Sequence, residues 1–514
     1  MKKYIKFLAV LAVTLPTLNS CKKFVEVEPR GQFTESGYYK DEAQAFSGLV
    51  AVYDILGFQS GGFITKVDVA VSAGDEAYAG GGGSNDVPGL QVISNYTLDA
   101  ATGPQDQLWL SGYQGVYRAN VLLSKLPGVT MDESKKKRFA AEAKLLRAYY
   151  YFDLVRFFKN IPLILAPISN PQDAYNVLQV APADIYAQIE KDLKDAIAET
   201  NLPDKVPAST EAGRVTKGVA HALLGKVYLF QKKYTQAAAE LALVNGTPGQ
   251  LNATYGYQLI PNFADLWKVS NKFNSEAILE ITHTSSSSGT WNCLTCSEGN
   301  ILGIMVGPRG YSRINPNAPD YVSGYSFLPV IKTFYDAMRF DPRNQPSIAN
   351  LDSLEKAGQV KYEKGYMNSG YFIEKFAGRE ADRSRSGGNS ELNFPQDMYE
   401  IRLADTYLME AEAIIVGGGN TARAGQLISA VRTRAYNDGK TYTVAPTLDN
   451  VINERKMELA FEGHRWFDLV RWGQAPTALA FKGFKAGKNE ILPIPLQELE
   501  NTKILQSKEY GGTK

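Results

Sequence analysis

The chain has 514 residues, 44% of them hydrophobic and 21% charged, enough for a large buried core. Its 55 Lys and Arg against 54 Asp and Glu leave the net charge near zero, which excludes the basic footprint of a nucleic-acid binder and any strong steering of charged partners. Tyr outnumbers Phe, 29 to 23, a bias that suits half-buried rings whose hydroxyls stay in water.

The N-terminus has the plan of an export signal. Lys2, Lys3 and Lys6 form a basic start, Phe7 to Leu15 an apolar stretch, and Pro16 follows. The apolar stretch is too short to span a bilayer as a helix. It ends at Leu18-Asn19-Ser20-Cys21, the pattern of a lipobox: an apolar residue, a free position, a small residue, then cysteine. Cleavage before Cys21 would leave a thiol that carries lipid, and two or three acyl chains anchor stably where one does not. Residues 1–20 are therefore expected to be a leader and 21–40 a lipid-anchored tether. No other apolar run reaches the roughly 18 residues a membrane span needs.

Helical spacing of apolar residues appears at 41–56. Residues 73–92 are Gly-rich, with the run Gly80 to Gly83, and read as a long loop. A helical pair is expected at 107–127 and 136–158, and another helix at 182–199. In 217–245, Leu224, Gly225, Tyr228 and Ala237 match the spacing of a tetratricopeptide repeat. Gly225 would let the second helix come close, and Lys232-Lys233 would make the turn. Leu403, Ala404 and Tyr407, continuing through Ala424 and Leu427, echo the pattern. Such pairs bury little alone and need stacked neighbours. The expected fold is mainly α: tetratricopeptide-like helix pairs forming a superhelical scaffold over 41–245 and 396–514. A large irregular lobe, 246–395, is inserted between them. It is rich in Gly, Ser, Asn, Pro and Tyr, with short strands such as Ala277 to Ile281 and a helix near 327–338.

Two cysteines follow Cys21: Cys293 and Cys296. In an exported chain they read as a local disulfide pinning a loop. A redox pair would want a βαβ context, and zinc two more ligands than the scattered His221, His283 and His464 provide.

Several segments line up with one family. Residues 141–164 (AEAKLLRAYYYFDLVRFFKNIPLI), 214–240, 401–413 (IRLADTYLMEAEA), 452–473 (INERKMELAFEGHRWFDLVRWG) and 491–510 together resemble the SusD/RagB family, over nearly the whole chain from Cys21 to Tyr510. The resemblance implies a SusD-like domain over 41–514, with no catalysis, cofactor or metal. It implies an outer-membrane lipoprotein facing the cell exterior. Such a protein captures oligosaccharides or other polymeric nutrients and hands them to a TonB-dependent transporter of the SusC type. The peptide-binding RagB branch is the alternative. Read from its residues alone, 452–473 is ion-pairing: Arg455, Glu458 and Glu462 on one helix, Gly463 as its C-terminal cap, and Arg465, Asp468 and Arg471 on a second.

A sugar site needs flat aromatics for the C–H faces and fixed polar groups for the hydroxyls, preformed so that little entropy is lost on binding. Loop aromatics beside polar residues are the candidates. Trp291 and Asn292 sit in the loop that a Cys293–Cys296 bond would stiffen. Arg309 and Tyr311 flank Gly310, Tyr321 and Tyr325 flank Gly324, and Tyr78 lies near Asp75 and Asn85 in the Gly-rich loop. Trp109, Trp267, Trp466 and Trp472 are assigned to the core.

Overall fold

The computed structural model describes residues 38–512, apart from 288, 385–387 and 501. The leader, Cys21 and most of the tether lie outside the described residues.

The architecture is mainly α, and local chemistry sets where its helices begin. Asp41 accepts the Gln44 N–H at 2.9 Å while the Gln44 side chain accepts the Lys40 N–H at 2.7 Å, starting Glu42–Gly61. Asp132 caps Glu133–Phe158 through the Lys135 N–H, Thr216 caps Lys217–Phe230, and Pro182 takes the first position of Pro182–Ala198. Successive helices pack on one another: Glu42–Gly61 on Gln105–Lys125, that on Glu133–Phe158, and that on Pro182–Ala198. Lys217–Phe230 packs on Tyr234–Asn245, which meets Leu403–Gly417, which in turn meets Thr421–Tyr436 and Leu448–Glu458. Glycine makes two of these contacts possible. A Cβ on Gly225 would stand 2.5 Å from Leu241 Cγ, and one on Gly115 2.4 Å from the Tyr150 ring.

The run Tyr149 to Phe152 is fully buried at the centre of this stack. Its phenols find partners there: Tyr150 donates to the Val52 carbonyl and Tyr151 to the Ile164 carbonyl, both at 2.6 Å, and Tyr149 receives Lys66 Nζ at 2.7 Å. Trp109 and Trp466 are buried as expected. Trp267 and Trp472 are half-buried.

Between 246 and 395 regular structure is sparse. Ala277–Ile281 pairs antiparallel with Met398–Arg402, Ile348–Asn350 with Tyr371–Ile373, and Ser312–Arg313 with Val360–Lys361. The helix expected near 327–338 is Lys332–Met338. A small apolar core, including Tyr311, Tyr321, Leu351, Val360 and Phe372, forms apart from the main one.

Two expected boundaries differ. The loop at 73–92 is shorter, because Pro88 pre-sets the backbone of a helix, Pro88–Ser94. The helix expected to carry Arg455, Glu458 and Glu462 and to end at Gly463 stops at Glu458, with Leu459 at its cap. Buried cations take the terminal carbonyl: Glu458 O accepts Arg402 Nη2 at 2.8 Å and Lys375 Nζ at 3.1 Å. Gly463 (φ +81°) instead completes the turn to Arg465–Arg471.

Those cations belong to a buried ionic cluster. Arg402 reaches Glu276 at 2.9 Å, Glu458 at 2.6 Å and Glu462 at 2.7 Å. Arg343 reaches Glu454 and Glu458, Arg434 reaches Glu276 and Glu458, and Lys375 reaches Glu462. Alongside it Arg455 holds Asp405 and Asp468, each at 2.7 Å. The 452–473 motif therefore ties together segments more than a hundred residues apart.

Burial holds two imidazoles neutral, His283 down to about 4 and His464 down to about 3. Burial opposes ionisation of Asp468 and Glu462, yet the neighbouring cations keep both below the usual carboxylate range. All four bind fewer protons folded than unfolded, so their stabilisation is full above the unfolded imidazole value and drains as pH falls through 6 toward 3. Each pH unit is expected to cost on the order of 1 kcal/mol per buried imidazole. Burial shifts Glu76, Glu280 and Asp68 upward, which acts in the opposite sense over this range. The check is therefore the difference in denaturation midpoint between the parent and His283→Gln at pH 7 and at pH 4.5; a difference that does not change with pH would contradict it.

Candidate functional site

The 289–299 loop is fastened to 389–393. Asn389 N–H donates to the Gly289 carbonyl at 2.9 Å, Asn393 Nδ2 to the same oxygen at 3.1 Å, and Ser297 Oγ to the Leu392 carbonyl at 2.7 Å. Cys293 and Cys296 are joined in a disulfide, Cα to Cα 5.3 Å. On this loop Trp291 is 42% exposed. Its indole N–H donates to Glu391 Oε1 at 2.7 Å, and its ring stacks on Phe63 with centroids 5.7 Å apart at 28°. The indole is thus held at edge and face, with the remainder open to solvent. Partial burial works against the Glu391 charge, but its own backbone, the indole N–H and Ser390 hold the carboxyl below its ordinary value.

Tyr325 lies within the field of Glu391. Partial burial and that negative charge push its phenol up, while Arg309 opposes them. Arg309 Nη2 donates to the Tyr325 carbonyl at 3.2 Å and stands 3.7 Å from Asp86. The Arg309 Nε is buried without a hydrogen-bond partner among the described residues.

The Gly-rich loop closes the other side. Gly81 N–H donates to the Ser326 carbonyl and Tyr366 N–H to the Gly81 carbonyl, both at 2.8 Å. Gly82 N–H donates to Asp86 Oδ2 at 2.8 Å. A Cβ on Gly80 (φ +72°) would lie 2.3 Å from Pro329, so both backbone sign and space require glycine there. The loop is tied down at each of these points.

Of the residues selected from the sequence, Arg309 and Tyr325 meet beside the Gly-rich loop, Trp291 holds the Glu391 whose charge reaches Tyr325, and Asn85 and Asn292 are exposed. Four others are committed elsewhere. Tyr311, expected in an open loop, is 8% exposed; its hydroxyl donates to the Pro319 carbonyl and its ring packs edge-on against Tyr321, which is also buried. Asp75 is held by Arg465 through two bonds of 2.9 and 3.0 Å. Tyr78 packs half-buried on the main core, its ring 5.6 Å from Lys482 Nζ. Phe63, Asp86 and Glu391 were not legible from the sequence. Glu391 is 100 residues from the indole it holds, and nothing local to it signals that role. Asp86 lay one position beyond the chosen Asn85.

The cluster offers an open indole face, a half-buried phenol, a guanidinium and carboxylates at fixed positions. Such a surface can stack on an apolar ring face and bond to surrounding hydroxyls. Among the described residues no group of side chains could hold a metal ion, and no helix is long and apolar enough to cross a membrane.

Comparison with known proteins agrees. Residues 351–493 match a model described as the SusD family, and 87–229 one described as starch-binding, associating with outer membrane. A solved structure described as a laminarin-binding SusD-like protein is 50% identical, covering 91% of this chain and 99% of its own, with a TM-score of 0.87. Surface glycan-binding protein A from Bacteroides fluxus is 27% identical, covering 90% and 97%, with a TM-score of 0.79. SusD-like protein P2 of Formosa agariphila is 25% identical over 99% of this chain and 100% of its own. The chain therefore belongs to the SusD/RagB family.

Proposed function

We propose that this protein is a cell-surface glycan-binding lipoprotein that captures laminarin, or a glucan of similar shape, and passes it to a TonB-dependent transporter of the SusC type. The observation that carries this reading is Trp291, exposed and yet held by Glu391, Phe63 and a stapled loop. A rigid, solvent-facing indole loses little freedom on stacking against a sugar ring. The 50% identity to a protein described as laminarin-binding supports the choice of glucan. In this reading 41–245 and 396–514 form the frame, 246–395 presents the site, and Cys21 carries the acyl chains.

Calorimetric titration of the mature protein with laminarin, against a mixed peptide pool, tests the ligand class. Saturable heat with laminarin and none with peptides is expected. The reverse would transfer the site to the peptide-binding branch of the family. Cys21→Ala is expected to release the protein from the outer-membrane fraction, since no described helix replaces the anchor. Retention of the variant in that fraction would refute the lipid attachment.

A further inference from the structure

A cavity of about 610 Å³ has a lining that shares no residue with the Trp291 cluster. Its lining includes Trp267, Gln345, Glu374, Arg379, Asp382 and Gln396. Trp267 is half-buried and locked edge-on by Phe263, Phe376 and Tyr399, with centroids 5.7–5.9 Å apart and ring planes 70–86° from parallel. Arg379 is equally constrained. It lies 4.4 Å over the Tyr321 ring and pairs with Glu374. Gln396 Nε2 donates to the Trp267 carbonyl at 3.2 Å and to the Lys375 carbonyl at 2.6 Å, which fixes the amide.

The Trp267 indole N–H is buried without an acceptor among the described residues. Buried polar atoms are ordinarily paired, so the unpaired indole N–H on a residue of the lining favours a polar ligand or solvent there. The lining mixes an aromatic wall with donors and acceptors of both signs: Lys375 is already neutralised by Glu462, and Arg379 by Glu374. That balance selects against a charged ligand and suits a neutral, hydroxyl-rich ring.

We propose that this cavity is a second oligosaccharide subsite, with Trp267 as its wall and Arg379, Asp382 and Gln345 as its hydrogen-bonding rim. The class of ligand rests on the glycan reading above; the existence of the subsite does not depend on Trp291. Asp382 at the cavity and Glu391 at Trp291 lie nine positions apart in the sequence. A polymer bound at both would gain affinity from the linkage of the two sites without any new contact at either.

The test uses the mature protein labelled with fluorotryptophan, whose five tryptophans give separate fluorine resonances; Trp267→Phe and Trp291→Phe assign two of them. On titration with laminarihexaose, the Trp267 resonance is expected to shift and saturate, both in the parent and in Trp291→Ala. Asp382→Ala with Gln345→Ala is expected to weaken that response at least about tenfold while the Trp291 response stays. A Trp267 resonance that stays still at millimolar sugar while Trp291 moves would overturn the second subsite and leave the first. Movement of Trp267 without Trp291 would support the second and overturn the first. Stillness of both would overturn both.

Discussion

Replacing Arg402 by alanine is expected to lower the unfolding free energy by about 3–5 kcal/mol, because it strands a buried group of carboxylates. Glu276, Glu458 and Glu462 all receive Arg402, and the Glu458 carbonyl at the helix end receives it too. The loss is the penalty of unpaired charge in a dry interior, larger than the net worth of the intact pairs. Arg434 and Lys375 would still face parts of the same carboxylates, which keeps the loss within that range. Arg402→Lys should fall between alanine and the parent, since an ammonium keeps the charge but cannot serve so many acceptors in one plane. Exposed Arg339, which stacks on solvent-facing Phe340, is the control, expected within about 0.5 kcal/mol. Urea denaturation of the three variants decides the matter. A loss under about 1 kcal/mol in Arg402→Ala would mean that the cluster is dispensable to the fold.

Trp291→Ala is expected to weaken laminarin binding at least about tenfold, or about 1.4 kcal/mol and more. Truncation removes the exposed stacking face and also takes from Glu391 its 2.7 Å bond to the indole, leaving the 3.4 Å contacts from Asn389 and Ser390. The two effects act together on one surface. Stability should scarcely move, because the indole rests on Phe63 at the protein's edge and not within the core. Trp291→Phe keeps the ring but loses the bond to Glu391, so it should lie between. Calorimetry on the three proteins, with thermal unfolding in parallel, separates a site effect from a folding effect. Equal affinity of parent and Trp291→Ala would remove the indole from the site.

The contrast between Trp291 and Tyr311 marks how far loop context can go. Both stand in Gly-containing loops beside polar residues, and both meet the same sequence criterion. Trp291 ends in solvent because its loop is stapled locally and fastened at 389–393. Tyr311 is drawn inward because Tyr321, Val360 and Phe372, contributed from along the chain, form a small core around it. Asp75 shows the same from the polar side. Its carboxylate belongs to Arg465, 390 positions away, a pairing that no local pattern announces.

The mainly α architecture and the starts of several long helices are written locally, because apolar spacing, Asp132, Thr216 and Pro182 act on their immediate neighbours. The sequence by itself also carried the family motif, whose arginines and glutamates recur at helical intervals. Tertiary structure alone decided where the 448–458 helix stops, which aromatic rings stay in water, and which carboxylate holds the exposed indole. Those outcomes depend on groups that meet only after the chain has closed on itself: the carbonyl of Glu458 with Arg402, the hydroxyl of Tyr311 with Pro319, and the Trp291 N–H with Glu391. Local chemistry is written at short range, whereas burial and partner choice are set by what packing brings within hydrogen-bond distance.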